Sequence, residues 1–233
     1  FSDEQTWNGL TWELDKVAEK WILQGELSPC IIVAVYSGGP RQRFQELLPE
    51  NVFHKFTKAQ KNALYQAYYE GGLVIPEAVC SSALNTFIVQ DLLPFVRREY
   101  VSFHSESPTY IMGSSMGGLA ALNALCEFPD IFMGAGCLST HWPVVLPTSD
   151  MDEFQKPPVS DQMLAYFCTK LAKIADKKLY FDYGDQELDA AYPELQKRMD
   201  QALINMDYPQ ELWVSKHFPG DGHSERAWSA RVH

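Results

Sequence analysis

Residues 109–128 read TYIMGSSMGGLAALNALCEF. A short strand-like run, TYIM, stops at a cluster of Gly and Ser, and an Ala/Leu-rich helical pattern starts within a few positions. That order describes a strand turning sharply into a helix. A corner so tight leaves no room for side chains that would meet across it, so the small residues Gly113 and Gly117 are expected to be steric requirements. The Ser115 between them is pushed out into solvent as the middle of a GxSxG motif. The corner also sets its hydroxyl at a helix N-terminus. There the Met116 N–H, backed by the helix dipole, can stabilise an oxyanion.

The rest of the chain repeats the alternation of strand-length apolar blocks with helical patterns. Leu10 to Leu27 reads as an amphipathic helix with Leu14, Val17, Ala18, Trp21 and Ile22 on one stripe. CIIVAVYS (30–37) reads as a β-branched strand buried on both faces, closed by a turn at 38–40. Thr57 to Glu70 is a polar helix. Thr86 to Tyr100 is a helix with Phe87, Ile88, Leu92 and Phe95 inward, kinked or broken by Pro94. After the corner come a strand at 133–138, a helix at 162–174, the strand KLYFDY (178–183), a helix at 190–204, the strand ELWVSK (211–216) and a short helix from Ser224. Buried strands alternating with helices predict an α/β fold, a mostly parallel sheet covered by helices on both faces. The irregular, Pro-containing stretch from His141 to Ser160 has the length of a lid, a binding loop or an insertion.

Composition narrows the partners. The 233 residues are 46% hydrophobic and 21% charged, which suits one domain spanning 1–233 with a sizeable core. Nineteen basic against 30 acidic residues give a net charge of −11, which repels phosphate backbones and anionic lipid. Nucleic acid and membrane are therefore not expected as partners, and the longest apolar run is far too short to span a bilayer. The five cysteines are scattered, none within four residues of another, so neither a CxxC pair nor a zinc ribbon is available. They read as small apolar residues in a reducing compartment, which points to a cytoplasmic protein. The chain begins at Phe1 and reads as a cut through a longer one.

A serine hydroxyl becomes a nucleophile when a base takes its proton, and that base is held by a carboxylate. On an α/β scaffold with this corner the chain order is Ser, acid, His. Of the six histidines, His54 and His104 precede Ser115, His141 follows the next strand too early, and His233 is terminal. His217 and His223 remain. His223 lies in the turn-rich loop PGDGHSERAW just before a helix, where it can lean over the sheet's end, so it is favoured over His217 on its strand. The acid belongs after KLYFDY, among Asp182, Asp185, Glu187 and Asp189. Asp182 fits least well because it lies inside the strand, and spacing does not choose among the other three. Near the base, Glu225 and Arg231 read as helix-start charge and surface.

IMGSSMGGLAALNALCEFPDIFMGAGCLS, LYFDYGDQELDAAY and PGDGHSERAW together resemble the putative esterase family of α/β-hydrolases. That family includes enterochelin-esterase-like and feruloyl esterases and S-formylglutathione hydrolase. The resemblance covers most of the chain and implies the α/β-hydrolase fold. Its GTxxLDxxY pattern implies Asp189 as the acid, with Glu187 second and Asp185 third, and its GxxHxExxW pattern implies His223 as the base. An R-x-x-E-Y-x-P stretch of the family reads RFQELLP here (43–49), which alters the expected rim of the site. The family's first three strands fall upstream of Phe1, so further N-terminal residues are expected, among them the source of a second oxyanion N–H.

The expected activity is hydrolysis of a small-molecule acyl ester through Ser115, Asp189 and His223 and an acyl-enzyme, chemistry that calls for no metal or organic cofactor. An acyltransferase or thioesterase on the same three residues, or a binding module on the same scaffold, are the competing readings. His141 and Trp142 are candidates for the substrate rim. Trp7 and Trp12 can line a sugar or aryl pocket or anchor the core. Oligomeric state is not legible.

Overall fold

The computed structural model describes residues 10–36, 40–70, 79–100, 107–144 and 158–232. Four strands form one parallel sheet in chain order: β1 (Thr109–Ser114), β2 (Phe132–Leu138), β3 (Lys178–Tyr183) and β4 (Trp213–His217). Around them lie α1 (Leu14–Leu23), α2 (Pro40–Leu47), α3 (Glu50–Phe53), α4 (Lys58–Glu70), α5 (Ser81–Phe87), α6 (Leu93–Glu99), α7 (Met116–Glu127), α8 (Pro158–Leu171), α9 (Pro193–Asn205) and α10 (Glu225–Val232). The fold is α/β, as the alternation predicts.

The pleat divides the strands between two unequal layers. Ala135, Cys137, Leu179, Phe181 and Trp213 point into the main core, where they meet Leu119, Leu122 and Leu125 of α7 and Met163 and Phe167 of α8. On the opposite face Leu138 packs with Trp12 and Trp228 in a smaller cluster, joined by Leu14 and Val232 of α1 and α10. That thin layer does not reach the outer strands. Tyr110 and Met112 of β1 are 54% and 43% exposed and Val214 of β4 45%, so the expectation of strands buried on both faces holds fully on one face alone.

Cys30 to Tyr36 departs further from expectation. The stretch joins no ladder, and Ile32, Val33 and Val35 are each 42% exposed. A β-branched run favours extended backbone locally, but a strand needs a partner to share its hydrogen bonds. Pro94 acts as expected, with detail. Between α5 and α6 one turn, Ile88–Leu92, is a π-helix, in which the Leu93 N–H reaches back to the Ile88 carbonyl. The extra residue slips the inward stripe after it by one, so Val96 is buried and Phe95 faces out; Phe87, ahead of the π turn, is also exposed, against the expectation that it points inward. Residues 38 and 39 of the expected turn and most of the 141–160 stretch lie outside the described residues, as does Trp7, while Pro40 opens α2.

All five cysteines are free; Cys126 and Cys137 are buried, Cys30 is exposed, and burial pushes the Cys126 thiol up to about 12. Among the described residues no helix is long and apolar enough to cross a membrane. Because every strand runs the same way, the row Ser114, Leu138, Asp182, Lys216 marks a common end. Ser115, Ser139, the 184–192 segment and the 218–223 loop all leave the sheet at this C-terminal edge, where open α/β sheets place their sites.

Candidate active site

Ser115 occupies the corner between β1 and α7 with φ 58° and ψ −124°, a positive-φ backbone that a non-Gly residue adopts at a cost on the order of 1–3 kcal/mol. It is 8% exposed, and so buried, which corrects the expectation that it is pushed out into solvent. The strain is held in place by backbone hydrogen bonds. Ser115 N–H donates to the Leu138 carbonyl at 2.8 Å, and its own carbonyl accepts from Gly118 N–H at 3.0 Å and His141 N–H at 3.2 Å. At Gly113 a Cβ would stand 2.5 Å from the Gly117 carbonyl oxygen, so a side chain there is barred. At Gly117 a Cβ would meet nothing within 4 Å, which corrects the expectation that this glycine is a steric requirement. The second close approach falls one residue later, where a Cβ on Gly118 would lie 3.1 Å from Thr140 Oγ1. Met116 is the first residue of α7, so its N–H has no acceptor within the helix and remains oriented for an anion.

Asp189 sits in a 3-10 turn (Glu187–Ala191) after β3, wholly buried. Its Oδ1 lies 2.6 Å from His223 Nδ1. Its Oδ2 accepts from Ser139 Oγ at 2.6 Å and from the Gly184 N–H at 2.7 Å. Burial alone would push this carboxyl up. The hydrogen bonds from His223, Ser139 and Gly184 outweigh burial and hold it below the usual carboxylate range. The His223 ring meets Tyr192 edge-on at 5.5 Å and Trp228 at 4.9 Å, and its backbone N–H donates to Glu187 Oε2 at 3.1 Å.

The other candidates have different partners. Glu187 therefore holds the loop that carries the base. Asp185 Oδ2 lies 3.1 Å from His217 Nε2, whose ring stacks on Tyr183 at 4.9 Å. Asp182 is wholly buried and accepts from Arg231 Nη1 at 2.9 Å; burial keeps its carboxyl above the usual range even beside that cation.

Among the described residues no hydrogen bond joins Ser115 Oγ to His223. They are linked through His141 after β2 and Tyr192 after β3: His141 N–H is bonded to the Ser115 carbonyl, His141 Nδ1 lies 2.7 Å from Tyr192 Oη, and Tyr192 touches the His223 ring.

His141 and Trp142 do not form a rim. They are 2% and 0% exposed. Trp142 packs in the core against Phe167 and Phe181, and its Nε1–H donates to Gln196 Oε1 at 2.8 Å. An indole with its single donor satisfied internally has no reason to face water. Trp12 is likewise a core anchor, 5.9 Å from Trp228. Nor is Arg231 at the surface: its side chain is 1% exposed, bonded to Asp182 and Asp221. Sequence reasoning missed Ser139, Gly184 and Tyr192. Ser139 had one signal, a small polar residue just past the strand beside the corner.

The chain matches the model of the family described as putative esterase over residues 10–232. No curated protein matches it. Among solved structures it is similar to the siderophore hydrolase of Aspergillus nidulans (TM-score 0.55, 18% identity, 95% of this chain and 76% of that one). It is also similar to the enterobactin esterase of Shigella flexneri in the presence of 2,3-dihydroxy-N-benzoyl-serine (TM-score 0.56, 19% identity, 92% of this chain and 45% of that one). A third is an IroE-like serine hydrolase from Shewanella oneidensis (TM-score 0.50, 15% identity, 66% of this chain and 47% of that one). The chain spans about half the length of the first structures it matches. At these identities the likeness is one of fold, that of the α/β-hydrolase esterases. With a family model matched over nearly its whole length, the chain belongs to the putative esterase family.

Proposed function

We propose that the protein hydrolyses a carboxylic ester of a small molecule through Ser115, His223 and Asp189. The observation that carries this reading is the 2.6 Å contact between His223 Nδ1 and buried Asp189 Oδ1, on the same edge of the sheet as the strained Ser115 corner. With Nδ1–H donated to the carboxylate, Nε2 is the free basic nitrogen and takes the Ser115 proton as Oγ attacks the ester carbonyl. The Met116 N–H receives the oxyanion at the start of α7. His223 then passes its proton to the leaving alkoxide, which departs and leaves an acyl-Ser115. Water, deprotonated by the same Nε2, attacks the acyl carbon, and collapse of that second intermediate returns the proton to Ser115 and frees the acid. Asp189 stabilises the imidazolium formed in each half and keeps the ring in one tautomer.

Turnover of p-nitrophenyl acetate tests the reading. Ser115→Ala is expected to abolish it while leaving the circular dichroism and melting curve of the parent. Undiminished turnover by that variant refutes the role given to Ser115. A panel of acyl chain lengths with feruloyl, acetyl-sugar and siderophore esters then ranks the substrate classes.

A further inference from the structure

Ser139 is wholly buried, one residue past β2, with φ 41°. Its backbone is pinned where β3 ends: the N–H donates to the Asp182 carbonyl at 2.9 Å and approaches Asp182 Oδ1 at 3.1 Å. Its hydroxyl has three neighbours. Trp228 Nε1 and Arg231 Nη1 each stand 2.9 Å away, and Asp189 Oδ2 stands 2.6 Å away. Indole and guanidinium nitrogens are donors without acceptor capacity, so both lone pairs of Ser139 Oγ are taken. The one hydroxyl proton has a single acceptor left, the Asp189 carboxylate. Its direction is fixed by elimination.

That single direction matters because a carboxylate can turn about its terminal torsion, which is broad and poorly defined by itself. Here Oδ2 is tied by the hydrogen bonds of Ser139 and Gly184, with Arg231 Nη2 a further 3.5 Å away, and this leaves Oδ1 aimed at His223. We propose that Ser139 is a positioning residue for the esterase reaction: through its hydroxyl, the donors Trp228 and Arg231 hold Asp189 in the one orientation that serves His223. The inference rests on the functional reading above. Ser139 reaches no solvent, so it acts through Asp189 and not on substrate. The charged and titratable groups around the pair are Asp182, Asp221 and Arg231 on the Ser139 side. Glu187 holds the loop of His223, Glu225 starts α10, and Tyr192 with His141 closes the opposite side.

Ser139→Ala and Ser139→Gly test the proposal together. The glycine tolerates the left-handed φ without strain, so it removes the hydroxyl at least cost to the fold. With one donor fewer, Asp189 becomes a stronger acceptor for protonated His223, and it is freer to turn. Both variants are expected to lower kcat roughly 10- to 100-fold at unchanged KM, and to move the acidic limb of the pH–rate profile to higher pH. The low-field NMR resonance of the Nδ1–H between His223 and Asp189, assigned by its loss in His223→Gln, is expected to shift or broaden in both. Parent-like kcat, acidic limb and resonance in Ser139→Gly overturn the proposal, as does a lower kcat with limb and resonance unmoved. The resonance needs no ester turnover. An inactive parent whose resonance still responds to Ser139 therefore contradicts the esterase reading and supports the positioning.

Discussion

His223 Nδ1 lies 2.6 Å from Asp189 Oδ1, although the two residues leave the sheet from different strands, Asp189 after β3 and His223 after β4. The parallel pairing of those strands, Tyr183 against His217 at its end, brings the loops together. Asp189→Asn keeps the shape but donates where the carboxylate accepted, which disfavours the tautomer the base needs. Its kcat is expected to fall by about four orders of magnitude in p-nitrophenyl ester hydrolysis, with KM little changed.

The same carboxyl gives a pH dependence of stability. Burial raises it, but the His223, Ser139 and Gly184 hydrogen bonds prevail, so the folded protein holds Asp189 lower than the unfolded chain does. As pH falls the unfolded chain takes up the proton first. The stabilisation is thus present above the ordinary carboxyl range and is lost as pH drops through about 4 and below. Urea unfolding at about pH 6 and about pH 3.5 should show the parent losing more stability over that interval than Asp189→Asn does.

Gly113 and Gly117 make a matched pair. A Cβ at 113 meets the Gly117 carbonyl oxygen at 2.5 Å, which is backbone and has little room to move, whereas 117 faces open space within α7. Gly113→Ala is expected to destabilise by about 2–3 kcal/mol. Gly117→Ala is expected to be neutral or to stabilise by up to about 1 kcal/mol, from helix propensity. Chemical denaturation of the two variants measures both.

Trp142 is a core residue, so its removal should be felt in stability and not in substrate recognition. Trp142→Ala leaves a large void between Phe167 and Phe181 and orphans Gln196 Oε1, a loss of about 3–5 kcal/mol. At a temperature where the variant stays folded, its KM for p-nitrophenyl esters should match the parent's. A selective rise in KM with unchanged melting temperature would restore the rim role.

The two late histidines separate by partner. His217 pairs with Asp185 and stacks on Tyr183, away from Asp189. His217→Gln should keep kcat within about twofold of the parent, while His223→Gln should lose about three orders of magnitude or more. Equal losses in the two variants contradict the choice of His223.

What was legible in the chain was local. The corner at 113–118 is spelled out because backbone geometry there admits few residue types, and the sheet's four strands follow from apolar runs between helical patterns. The choice among Asp185, Glu187 and Asp189 was not legible from spacing, since all three ride one turn; which one meets His223 depends on how that turn packs against the loop after β4. Arg231 and Trp142 read as surface and rim because neither charge nor an indole declares its burial. Each is buried by a partner far along the chain, Asp182 for one and Gln196 for the other. Cys30 to Tyr36 shows the converse, a run with strand composition that forms no ladder, because pairing is a property of two segments.

Reaction with a fluorophosphonate probe, followed by peptide mass mapping, examines the nucleophile most directly. One adduct on Ser115, absent from Ser115→Ala and strongly suppressed in His223→Gln, is the expected result. A parent chain that takes no label, or that takes it elsewhere and leaves Ser115 untouched, contradicts the assignment of this corner as the seat of the chemistry.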